Sequence, residues 1–274
     1  MGRERAGTIG TMPRRLRIVA LGTALDLLFA RPAPETFINS VAGAWSRCID
    51  GGGRSNGIYR TQDRAALAVA APADDSDEAL RAALQRLSQD VTRHLIAAQT
   101  GRLLMFHAGA VCHPESGASV VFVAPSGTGK TTLSRLLGHT HGYLTDETVG
   151  IDPATGRIHP YPKPLSIARG HRWRKDETSP DVLGLLPAHL SPRVSRIVLL
   201  SRDSGSVVSP RAEELATLDA VAALVPETSA LNRLPQSLHA VAELLDRAGP
   251  LVRLTYGEAV DLAPIVSGFL EDAA

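Results

Sequence analysis

Lysine is nearly missing from this sequence: of 29 basic residues only Lys130, Lys163 and Lys175 carry an ammonium, and the rest are arginine. Where a generic positive charge suffices, arginine is used, so a retained lysine marks a place where a compact ammonium is needed and a planar guanidinium would not fit. Cysteine is scarce too. Cys48 and Cys112 have neither zinc nor redox-pair spacing, which excludes a disulfide framework and points to ordinary thiols in a reducing, cytoplasmic setting. A net charge of +1 provides no broad field for nucleic acid or for an anionic membrane, so neither is expected as a partner. No apolar run is long enough to span a bilayer. The nearest, IVALGTALDLLFA, follows Arg14, Arg15 and Arg17 and is broken by Asp26; it reads as the first strand and helix of a soluble domain rather than a signal core. There is no internal repeat, no LSGGQ-like stretch and no N-K-x-D, which argues against a transporter ATPase and a GTPase.

What is present is globular: 274 residues, 44% apolar and 21% charged, enough for a sizeable core. Residues 1–72 mix strand-like LRIVAL and LAVAA with a loop at GGGRSNG. From Asp75 a helix is predicted, with acidic residues in its first turn and Leu80, Leu84, Leu87, Val91 and Leu95 on one stripe. RLLMFHAGAVC and ASVVFVA read as strands joined by the HPESG turn, then a glycine turn leads into helix TTLSRLL. YLTD and ETVGID read as short strands and SRIVLLS as a buried one. Helical patterns cover 211–224 and 229–247, followed by strand LVRLTY and a last helix from 257. Residues 162–192, rich in Pro, Arg and His, lack a period and read as a functional loop region. Strands mixed with helices indicate an α/β fold with a mixed sheet.

The glycine turn carries the chemistry. A phosphate-binding loop (P-loop) needs glycines so that backbone N–H groups can turn inward, a lysine for the outer phosphates and a Ser/Thr hydroxyl for magnesium. Residues 124–131 read A-P-S-G-T-G-K-T, the Walker A pattern G-x-x-x-x-G-K-[ST] with Ala124 at its first glycine. The preceding buried strand and the following helix are the required context, and the helix N-terminus adds positive potential at the same spot. Ser126, Gly127, Thr128, Gly129, Lys130, Thr131 and Thr132 are therefore the expected nucleotide-binding residues, with Thr131 on Mg2+. The second metal-binding element should be an acid at the end of a nearby strand. Asp146 and Glu147 in YLTDETVGID fit, since strand–loop–helix–strand connectivity brings them towards the loop. Phosphoryl transfer asks mainly for positioning and charge neutralisation: Lys130, Mg2+ and the loop amides for the phosphates, Asp146 for the proton of the attacking hydroxyl.

These three stretches, FHAGAV, SGTGKTTL and YLTDETV in that order, resemble the HPr kinase/phosphorylase family and the wider HPr kinase-like kinases, which share their core with phosphoenolpyruvate carboxykinases. The resemblance covers about residues 103–165. It implies a mixed-sheet P-loop core over 103–274, behind a smaller α/β region over 1–102 that ends in the amphipathic helix. That leading region looks like the helix-led extensions of kinases acting on ribosomally made peptides such as lasso-peptide precursors. The resemblance places the family's loop lysine on Lys130, its magnesium hydroxyl on Thr131 and its paired aspartates on Asp146, the base, and Glu147, a metal ligand. It also implies a role for His107 in orienting the base or a phosphate. ATP as the nucleotide and possible homo-oligomers follow from the resemblance alone. The chain departs from the family at Ala124 and Glu147, and no stretch is assigned to the family's downstream glycine-rich signature or its later arginine.

After the acids comes YPKPLSIARGHRWRK, with Lys163, Arg169, His171, Arg172, Arg174 and Lys175. It is either a solvated loop or a clamp for phosphate oxygens or an acidic acceptor peptide. Lys163, stiffened between two prolines, is the expected phosphate contact, while Trp173 fits either an adenine or a partner. The expectation is an ATP- and Mg2+-dependent kinase acting on a serine or threonine hydroxyl of a protein or peptide. A nucleotide-binding regulatory module and a small-molecule kinase stand as alternatives.

Overall fold

The computed structural model describes residues 14–30, 33–50, 64–168, 175–203, 205 and 209–273. The loop expected at GGGRSNG and the arginines, His171 and Trp173 of 169–174 lie outside them.

The first described elements are β1 (Arg15–Ala20) and β2 (Thr23–Phe29), which pair antiparallel around Leu21 and Gly22. Both turn residues have positive φ, 50° and 69°, as a tight two-residue hairpin turn requires. This corrects the strand-and-helix reading of the apolar run. Asp26 breaks that run because it faces Arg17 across the hairpin, at 2.7 and 3.1 Å, while Ile18, Leu25 and Leu27 alternate inward. After α1 (Glu35–Ala44), which the sequence reading missed, β3 (Arg64–Val69) joins β2 in parallel. The long helix α2 (Asp77–Gln99) begins where the Ser76 hydroxyl accepts from the Ala79 N–H. It buries Leu84, Leu87, Val91 and Leu95 in a core shared with this three-stranded sheet.

The second sheet has nine strands and mixed direction. Along the chain come β4 (Leu104–Cys112), β5 (Ala118–Val123), α3 (Lys130–Leu137), β6 (Gly142–Thr145), β7 (Thr148–Ile151) and β8 (Ile158–His159). Beyond the two-stranded hairpin of β9 (Leu165–Ala168) and β10 (Lys175–Thr178) follow β11 (Arg193–Arg202), β12 (Arg211–Glu214), α4 (Thr217–Leu224), β13 (Thr228–Ser229), α5 (Ser237–Ala248), β14 (Val252–Tyr256) and α6 (Ala263–Glu271). β5, β11 and β14 run parallel, whereas β4 runs antiparallel to β5. Leu224, Val241 and Leu244 cover one face of this sheet, and Leu133, Leu137, Val266 and Leu270 cover the other. The expected helix over 211–224 begins instead as the edge strand β12. The pattern over 229–247 becomes regular only from Ser237, because residues 228–229 pair with β4.

The described residues of 162–192 form a seam between the two sheets. Ser88 of α2 donates to Glu177 at 2.8 Å, and Thr92 shares a 2.8 Å hydrogen bond with the buried Tyr161 hydroxyl. Arg47 pairs with Asp181 at 2.7 Å. β4 serves both cores, with Met105 in the first and Leu104 and Phe106 in the second.

Gly109, in β4, is what lets α3 close on the sheet: a Cβ there would sit 2.1 Å from the Phe122 ring and 2.8 Å from the Ser134 hydroxyl. Gly109→Ala should destabilise the protein by about 1–3 kcal/mol through overpacking, measured as a lower urea midpoint at unchanged slope.

Candidate phosphate and metal site

The loop leaves the sheet at Ala124, whose side chain is fully buried against α3 and α6. Its φ is not positive; the left-handed positions are Gly127 and Gly129, at 85° and 103°. The loop's two glycines, one at a position the motif leaves open, are therefore the ones the backbone needs, and alanine at 124 requires no strained dihedral. Ser126 and Thr132 are exposed and Thr128 half-buried. The Thr128 hydroxyl donates to the Pro125 carbonyl at 2.8 Å, and the Tyr256 hydroxyl, from the end of β14, donates to the Thr128 carbonyl. Lys130, at the first turn of α3, folds back onto the carbonyls of Ala124 and Pro125 at 2.5 and 2.8 Å. Burial pushes its ammonium down to about 8, against the opposing pull of Glu227, Asp146 and Glu147.

Asp146 and Glu147 form the turn between β6 and β7. Asp146 is almost wholly buried, and each oxygen has its own partners. Oδ2 accepts from Thr131 at 2.8 Å; Oδ1 accepts from the Tyr143 hydroxyl at 3.1 Å and lies 3.5 Å from Lys163 Nζ. Lys163, its side chain only 3% exposed, also contacts Glu147 Oε2 at 3.1 Å and the Pro164 carbonyl at 2.9 Å. Burial alone would lower the Lys163 ammonium, but Asp146, Glu147 and Glu177 outweigh it and raise it. The lysine expected on phosphate oxygens is thus held by the acid pair. Burial first, then the Asp146 charge, also raises the Tyr143 phenol.

His107 sits where β5 departs for the loop: its carbonyl faces the Ala124 N–H at 3.4 Å, and across β4 it pairs with Thr148. Alternation along β4 places its side chain on the Gly109 face, towards α3. Burial, then Lys130, holds the half-buried imidazole below its usual range, with Glu227 and Glu147 opposing. Glu227 reaches this spot because β13 pairs with β4 as Thr228 to Phe106, so residue 227 is next in register to His107. Sequence reasoning missed Tyr143, Glu227 and Tyr256. Tyr143 lay in plain view in YLTDETV; the other two are brought in by pairing with strands distant in the chain, which no local pattern signals.

The donors fit magnesium. Thr131 and Asp146 place a hydroxyl and a carboxylate in mutual contact, with Glu147 beside them. Among the described residues no cluster of three or more His, Cys, Asp or Glu forms a cage. Mg2+ is commonly bound in this way, by one or two carboxylates completed by phosphates and water.

No family model matches the chain, and no curated protein matches it in sequence. Among solved structures, the HPr(Ser) kinase/phosphatase from Coxiella burnetii aligns over 61% of this chain and 88% of its own, at 13% identity and a TM-score of 0.31. At that similarity the site rests on its own geometry.

A phosphate ligand would stabilise the Lys130 ammonium, so binding above pH 8 must take up a proton. In metal-free buffer the affinity for inorganic triphosphate should fall as pH rises from 7 to 9, by up to about tenfold per unit above 8. Calorimetry in buffers of different ionisation enthalpy would detect that proton; a pH-independent affinity would remove Lys130 from the phosphate site.

Proposed function

We propose that the protein is an ATP- and Mg2+-dependent kinase that transfers the γ-phosphoryl group to a serine or threonine hydroxyl of a protein or peptide. The observation that carries this reading is the Thr131–Asp146 hydrogen bond of 2.8 Å. It joins the helix that opens at the glycine loop to the acid turn, so the expected phosphate-binding and metal-binding elements meet at one point.

In this reading the loop amides at the start of α3 hold the phosphates, and Lys130 exchanges the carbonyls of Ala124 and Pro125 for outer phosphate oxygens. Thr131 and Asp146 would hold Mg2+, which when bound offsets phosphate charge. The acceptor oxygen bonds to the γ-phosphorus as the bond to the β,γ-bridging oxygen breaks; the hydroxyl proton passes to Asp146, and ADP leaves. To accept that proton, Asp146 must give up one of its present donors, and Tyr143 is one of the two on Oδ1. His107, held towards its neutral form, offers a hydrogen bond next to the loop without adding positive charge. Glu147 assists with the metal. A second reading, a nucleotide-binding regulatory module, draws on the same facts: Lys130 is folded onto its own loop, and both Asp146 oxygens are engaged.

Incubation with γ-labelled ATP, Mg2+ and candidate acceptor proteins or peptides separates the two. Label on serine or threonine is expected, and it should vanish in Lys130→Ala. Asp146→Asn should keep nucleotide binding while losing about 10²–10⁴-fold in transfer. Tight ATP binding with no labelled acceptor would favour the regulatory reading.

A further inference from the structure

Lys163 is a buried cation that the proposed transfer does not use. Its backbone is fixed: the N–H donates to the Tyr161 carbonyl at 2.8 Å, the carbonyl lies 3.4 Å from the Tyr143 hydroxyl, and the Tyr161 N–H donates to Leu144 of β6 at 3.0 Å. Tyr161 itself is fully buried, stacked near Trp45 with ring centres 6.3 Å apart. This lysine is therefore set into the core and is not carried on an open lid. Its ammonium is ion-paired with Glu147 at 3.1 Å and donates to the Pro164 carbonyl and to Asp146 at 2.9 and 3.5 Å, so its contacts are with the acid pair and its own segment.

We propose that Lys163 is the resident cation of the acid pair: its ammonium takes the place a second metal ion would occupy, and it restricts Asp146 and Glu147 to one divalent ion that arrives with the nucleotide. The inference rests on the reading of Thr131 and Asp146 as the metal side. Asp146 divides its oxygens accordingly. Oδ2 faces Thr131, whereas Oδ1 is filled by Tyr143 and Lys163, so it cannot bridge two metals. Two carboxylates and one ammonium leave a single net negative charge, too little to hold a strongly hydrated divalent ion without phosphate oxygens to complete its shell. Glu177, the third carboxylate acting on Lys163, is itself engaged by the hydroxyls of Ser88 and Ser166 at 2.8 and 2.5 Å and belongs to the seam. The role explains why this position keeps a lysine in a chain that otherwise uses arginine: a point-like ammonium fits between two carboxylates, and a guanidinium fork does not.

The test is binding of Mn2+ alone, followed by its electron paramagnetic resonance signal in nucleotide-free protein. Wild type should bind Mn2+ weakly, and one ion per chain once a non-hydrolysable ATP analogue is added. Lys163→Met should bind Mn2+ alone at least tenfold more tightly. Because that variant leaves a buried acid unpaired, the same substitution is also made in an E147Q background, where one carboxylate charge has been removed. There Lys163→Met should again tighten Mn2+ at least tenfold relative to E147Q. Unchanged Mn2+ affinity on removing Lys163 in the folded backgrounds, or two ions per wild-type chain without nucleotide, would overturn the proposal. Neither readout needs phosphoryl transfer, so a failed kinase assay and a failed metal assay are distinct results.

Discussion

Asp146 is a carboxylate shut almost entirely inside the protein, and such a charge is tolerated only when its hydrogen-bonding capacity is met. Three elements converge to meet it. Helix α3 brings Thr131, strand β6 brings Tyr143, and the segment behind β8 brings Lys163, which Glu147 of the β6–β7 turn holds as well. Removing any one of these would leave a buried polar group short of a partner, so the loop, the acid turn and the seam hold one another in register. The glycine loop alone would be a flexible bend; tied at Thr131 to a fixed acid and at Thr128 to Tyr256, it has a defined place from which to meet a ligand.

Much of this was legible in the sequence because its signals are local. The glycine turn, the acid pair and the helix with its leucine stripe each declare themselves within a few residues, and the structure supplies physical reasons for their local geometry. Gly127 and Gly129 have the backbone angles that only glycine adopts freely, whereas Ala124 sits in the core and needs no such freedom. Gly109 is small because Phe122 and Ser134 occupy its space. What was not legible depends on which distant segments pair. Glu227 comes next in register to His107 through a two-residue strand at the junction of two stretches that read as helix, and Tyr256 reaches the loop from the far end of the parallel strands. The hairpin at the start was misread for a related reason: Asp26 looked like a break in an apolar run until its partner Arg17 was seen across the turn.

Lys163 shows how residue type and position can disagree. Scarcity of lysine singled it out, and the flanking prolines suggested a stiff arm towards the phosphates. The side chain points inward instead, to a place between two carboxylates. Composition could single the residue out, and only the three-dimensional pairing shows which anions stand beside it.

The seam has a bearing on how far the parts can be separated. Tyr161 is in contact with α2 through Thr92 and with the acid turn through its neighbour Lys163, two residues away. Met105 of β4 packs in the leading core. The larger sheet therefore lacks a clean cut line: a shortened chain starting at the glycine loop's own sheet would expose Tyr161 and Met105 to water and loosen the lysine that steadies the acids. The described leading elements and the larger sheet thus share side chains at Tyr161, Met105 and Glu177, and each steadies the other.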